Sequence, residues 1–113
     1  MAKYIFTWGA SPFFAYQDGW TEVIAPDRNT AVKAFEVFHP KRPGSRYTNC
    51  AMIYSEREWE GTEMAINGEN FGHGCHERII VEVNRIYDQV KAGTLQKNEA
   101  KEMVTYRCEN LDG

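Results

Sequence analysis

The strongest pattern near the start of the chain is an alternation. Over Lys3 to Gly9 (KYIFTWG), Tyr4, Phe6 and Trp8 fall on one side and Ile5 and Thr7 on the other, which predicts a strand rich in β-formers. Ala10 to Asp18 mixes Ser, Pro and Asp with three aromatics and reads as a loop. Gly19 to Ala25 (GWTEVIA) reads as a second strand, antiparallel to the first across that loop. The period then changes. Asp27 is a good N-cap, and Ala31, Ala34, Phe35 and Phe38 follow at i, i+3, i+4 and i+7, one apolar helical stripe. His39-Pro40 ends that helix, because the residue before a proline is pushed out of the α region.

Lys41 to Asn49 (KRPGSRYTN) is a basic loop with turn residues, and Cys50 to Tyr54 (CAMIY) is an apolar run expected to be a buried strand. Ser55 with Glu58 forms an S-x-x-E capping box for a short helix through about Met64. Asn67 to Gly74 (NGENFGHG) carries three glycines and must be a loop. From Glu77 onward two periods compete. Ile79, Ile80, Val81 and Val83 suit a strand, while Ile79, Val83, Ile86, Tyr87 and Val90 suit a helical stripe. The β-branched content favours a strand to about Val83, then a short helix capped by Asn84 and stopped by Gly93. Leu95 to Cys108 reads as a final helix, with Leu95, Glu99, Met103 and Tyr106 roughly aligned. The expected fold is α+β. It has a small antiparallel or mixed sheet of about four strands in ββαβ(α)β order, helices on one face and a C-terminal helix.

Composition narrows the class. The 113 residues and 13.0 kDa suit one domain with one core, read as residues 1–113 without a boundary. Hydrophobic residues at 42% and charged residues at 26% are globular usage, and a formal charge of -3 does not favour phosphate-backbone binding, so nucleic acid is not an expected partner. Three cysteines, Cys50, Cys75 and Cys108, without paired spacing argue against a disulfide framework and for a reducing compartment. The N-terminus lacks an unbroken aliphatic core and a small-residue cleavage site, and no apolar run reaches bilayer length. The expected location is the cytoplasm, with no membrane partner.

Three stretches could carry chemistry. Gly72-His73-Gly74-Cys75-His76-Glu77 places four potential metal ligands or proton carriers among glycines. Zinc would need four N/S ligands, with Cys50 or His39 completing the set, but C-x2-C and H-x3-5-H spacings are absent. A Cys75 nucleophile needs a base, and adjacent His76 points away from it in an extended segment. A structural turn with Cys75 buried, or a loop whose imidazoles and N–H groups contact an anion, are the other readings. The second stretch, Lys41, Arg42 and Arg46 in a proline-stiffened loop, suits phosphate or carboxylate, or is a solvated turn. The third, Phe13, Phe14 and Tyr16, could stack a base, dock a partner or fold over the core. Glu56, Glu58, Glu60 and Glu63 read as a solvated helix face. No P-loop, dinucleotide fingerprint, H-E-x-x-H or nucleophile elbow is present. No metal or cofactor is assigned.

The segment YIFTWG…GWTEVIAPDRNTAVKAF, with NCAMIY and GHGCHE after it, resembles small accessory proteins of phages and mobile elements over roughly the first eighty residues. The resemblance carries over no functional residue. It implies counter-defence by binding rather than catalysis, in a host-cell cytoplasm. The expected function is capture of a small anionic ligand such as a nucleotide immune signal. Lys41, Arg42 and Arg46 would hold phosphate, His73, Cys75 and His76 would line the site, and Trp8, Phe13 or Tyr16 would stack a base. The alternatives are a protein-binding inhibitor of a host defence nuclease, of anti-CRISPR type, acting through Phe13 and Phe14, and a small Cys/His enzyme. A small ligand-capturing domain often builds its pocket between subunits, so a homo-oligomer fits the ligand reading.

Overall fold

A computed structural model of the chain describes residues 1–9, 18–85 and 102–112. It is α+β, with one mixed sheet in the order β3-β1-β2-β4-β5. The strands are β1 (Ala2–Thr7), β2 (Trp20–Ala25), β3 (Met52–Ser55), β4 (Cys75–Arg85) and β5 (Glu102–Asn110); the helices are α1 (Arg28–Phe38), α2 (Glu56–Glu60) and α3 (Glu63–Asn67). β1 pairs antiparallel with β2 and β3, β2 pairs parallel with β4, and β4 pairs antiparallel with β5.

The locally encoded elements form as the residue pattern dictates. Asp27 accepts from the Thr30 backbone N–H at 2.8 Å, and His39 closes α1 with its N–H on the Phe35 carbonyl at 2.8 Å. The stripe of α1 buries Ala31, Ala34 and Phe35 against Phe6, Val23, Ala25, Ile79 and Val81. Phe35 stacks on Phe6 with ring centroids 4.6 Å apart, worth about 1 kcal/mol beyond the area both rings bury. Both halves of the Ser55–Glu58 capping box are present.

Five expectations need correcting. The sheet has five strands, not four. Residues 102–110, read as the end of a helix, are strand β5; Val104, Tyr106 and Cys108 alternate with Thr105, Arg107 and Glu109 and pair with Val83, Val81 and Ile79 of β4. Asn84 opens no helix, since β4 runs through Arg85; the rest of both expected helices lies outside the described residues. The helices also cover both sheet faces. α1 lies over Phe6 and Val23, whereas Trp59 of α2 and Met64 of α3 pack with Ile5, Trp20 and Tyr54 on the opposite face. Finally, β3 is an edge strand, which leaves Met52 exposed rather than buried.

Candidate functional site

Glu77 is in phase with Ile79 and Val81 on the α1 face of β4, a position that calls for a partner once it is filled by a carboxylate. Several elements supply partners. His39, at the end of α1, donates from Nε2 to Glu77 Oε1. Thr21 of β2 donates to the same oxygen at 2.9 Å, and Trp8, just past β1, donates from Nε1 to Thr21 Oγ1 at 3.0 Å. The Cys108 thiol of β5 donates to Glu77 Oε2 at 3.4 Å. Burial alone would raise the Glu77 carboxyl, but the bonds from His39 and Thr21 outweigh it and hold the group below its ordinary value.

Beside this network lies His76. The β2–β4 ladder shifts by one residue between Trp20↔Cys75 and Thr21↔Glu77, so His76 is the extra residue of a bulge. Its ring stacks on Trp8 with centroids 4.2 Å apart. Its Nδ1 meets Asp112 Oδ2 at 2.7 Å and its Nε2 meets the Asp18 carbonyl at 2.7 Å, so both nitrogens are committed. The close fit depends on Gly19, whose φ is +81°; a Cβ there would lie 2.4 Å from His76 Nε2. Cys75, by contrast, packs with Trp20 on the opposite face and donates its thiol to the Glu77 backbone carbonyl at 3.3 Å, so Cys75 and His76 form no nucleophile–base pair. All three thiols are held protonated. Burial raises Cys50 to about 12 and Cys108 to about 11, the latter helped by the Glu77 charge, and burial also raises Cys75.

The concave surface lies elsewhere. A cavity of about 650 Å³ is bounded by Thr7, Trp8, Gly9, Ala51, α3 and the turn beyond it. That size is typical of small-molecule sites. Glu63 and Glu69 face it, and neither carboxylate has an ion-pair or hydrogen-bond partner among the described residues. Asn70 is buried there, with its amide NH2 committed to the Trp8 and Gly19 carbonyls at 2.9 and 2.8 Å, which leaves Oδ1 as its remaining group. Asn70 and His73 bridge a two-residue turn in which Phe71 and Gly72 both have positive φ, 52° and 88°. Such a turn usually carries Asn-Gly; here it holds a phenylalanine ring out at 69% exposure on the cavity rim.

A second hollow of about 330 Å³, lined by Arg42, Ser45, Tyr47, Thr48, Asn49, Cys50 and Ala51, shares Ala51 with the first. Pro43 and Gly44 (φ +79°) make the type II turn that shapes it, closed by Ser45 N–H on the Arg42 carbonyl at 2.9 Å. The Arg42 and Arg46 guanidinium groups have no ion-pair partner among the described residues, whereas Lys41 pairs with Glu36 at 3.6 Å.

The structure therefore divides the residues singled out from sequence. Trp8 and His76 meet in the polar network, with exposed His73 beside them (ring centroids 5.7 Å from His76), and Arg42 lies in the second hollow. Cys75 belongs to neither. Phe13, Phe14 and Tyr16 lie outside the described residues. Sequence reasoning missed Thr21 and Cys108, and it gave no special place to Glu69, Asn70 or Phe71. It read Glu63 as part of a solvated face, and Glu63 is exposed and also lines the cavity. No group of three or more His, Cys, Asp or Glu able to hold a metal ion occurs among the described residues, and no helix there is long and apolar enough to cross a membrane. The chain matches no family model, no curated protein and no solved structure.

Proposed function

We propose that the chain is a non-enzymatic binding protein of phage or mobile-element origin that sequesters a small anionic ligand of the nucleotide class and so blunts a host defence. The observation that carries this reading is the pair of neighbouring hollows that share Ala51 in their walls. One end offers a cation, Arg42, with Arg46 on the same loop; the other offers acceptors and an exposed aromatic ring. A nucleotide has the matching halves, an anionic phosphate and a flat base bearing N–H donors. Protonated thiols and the fully committed ring of His76 favour binding over covalent or acid–base chemistry. Calorimetric titration with cyclic nucleotides and ADP-ribose derivatives tests it. Binding that is lost in Arg42→Ala supports it; no heat with any of them removes it.

A second reading, direct inhibition of a host defence protein, draws on apolar side chains left in solvent near the same hollows: Tyr47 at 81%, Phe71 at 69% and Met52 at 55% exposure. Capture of a defence effector that is lost on changing Tyr47 and Phe71 to serine would favour this reading over the ligand reading.

A further inference from the structure

The acidic end of the cleft is weighted towards acceptors, although the exposed Asn67 amide on its wall also offers a donor. Ionised Glu63 and Glu69 only accept. Asn70 also offers only an acceptor, because both of its amide hydrogens are taken by backbone carbonyls. No lysine, arginine or histidine lines this end among the described residues. A phosphate placed here would face like charge, so this end suits the uncharged part of a nucleotide.

The bases differ in what they would present. The Watson–Crick edges of adenine and cytosine place a ring acceptor beside the amino donor, so a carboxylate gains one bond and meets one lone pair. Uracil sets its single ring N–H between two carbonyls. Guanine alone has two adjacent donors, N1–H and N2–H2, which match the two oxygens of one carboxylate, and the exposed Phe71 ring offers it a stacking face. Resting on the nucleotide reading above, we propose that the cavity between Trp8, α3 and the Asn70–His73 turn is a guanine-selective base site. Glu63 or Glu69 reads N1–H and N2–H2, Asn70 Oδ1 adds an acceptor, and Arg42 holds the phosphate end.

Calorimetry on the full chain with cyclic GMP, cyclic AMP and agmatine separates the outcomes. Cyclic GMP is expected to bind at least about tenfold more tightly than cyclic AMP, the discrimination of one bidentate pair. Glu63→Gln or Glu69→Gln, whichever carboxylate reads the base, is expected to reduce that ratio to under about threefold, because an amide offers one acceptor and one donor. Arg42→Ala is expected to weaken both nucleotides alike. Equal affinity for the two nucleotides, or a preference unchanged in both Gln variants, overturns the guanine assignment and leaves the nucleotide reading standing. Agmatine binding without nucleotide binding, or no binding at all, overturns both.

Discussion

Two polar regions of this small molecule use their hydrogen-bonding groups in opposite ways. In the network around Glu77, the side chains of Glu77, Thr21, His39, Trp8 and Cys108 bind one another, and His76 is closed by Asp112 and the Asp18 carbonyl. In the cleft around Ala51, the Glu63 and Glu69 carboxylates and the Arg42 guanidinium face open hollows without partners among the described residues. The network has the residue types of an enzyme site, yet its acceptors and donors are used to hold α1, β2, β4 and β5 together. The cleft residues resemble ordinary surface charge in sequence, yet their polar groups remain available. A binding site is marked by polar groups left without protein partners beside a cavity, more than by the presence of histidine and cysteine.

Substitutions should separate the two regions. The largest effect is expected at Gly19→Ala, where the new Cβ meets both His76 and the Gly74 carbonyl at a positive φ. A loss of about 2–4 kcal/mol in urea unfolding is expected. Glu77→Gln removes the charged acceptor shared by His39, Thr21 and Cys108. The carboxylate is mostly buried, but an amide keeps one acceptor for these donors, so about 1–2 kcal/mol is expected. This substitution also has a pH signature. The Glu77 carboxyl is lowered on folding, so its contribution is fully present above the ordinary value of 4.5 and is lost as pH falls through the folded value. Stability curves of the wild type and Glu77→Gln should therefore converge in acid. A gap that stays constant from pH 7 to acid would deny the network its charged role.

Smaller effects should follow away from the network. Cys75→Ala trims a half-buried side chain packed with Trp20 and should cost about 1 kcal/mol, with ligand binding retained. Lost binding in a folded Cys75→Ala protein would return the thiol to the site. The smallest stability change is expected for Glu63→Gln and Glu69→Gln, within about 0.5 kcal/mol, since neither carboxylate bonds to another described residue. A larger loss would mean that these groups hold structure.

What the sequence made legible was local. The Asp27 cap, the Ala31–Phe38 stripe and His39-Pro40 lie within one stretch, and α1 follows from them. The Ser55–Glu58 box worked for the same reason, although Thr62 caps a separate α3 where one helix was expected. The misreading of residues 102–110 has a definite cause. Met103 and Tyr106 fit a helical spacing, but Val104, Tyr106 and Cys108 fit a strand equally well, and pairing with distant β4 decides between them. The network was partly legible. Glu77 continues the core-facing phase of Ile79 and Val81, and a carboxylate in that phase signals a buried partner, though not which one. The bulge that brings His76 beside Trp8 leaves no mark in composition. Nor can sequence say that Glu63 and Glu69 lack partners, because that depends on where the Asn70–His73 turn brings the chain.

The most direct test of the division is one calorimetric comparison, cyclic GMP titrated into Arg42→Ala and Glu77→Gln at neutral pH, both confirmed folded. The predicted result is that Arg42→Ala loses about tenfold or more in affinity at unchanged stability, while Glu77→Gln, though less stable, binds as the wild type does. Binding that survives Arg42→Ala but disappears in folded Glu77→Gln would contradict it and place the functional site in the His39–Glu77 network.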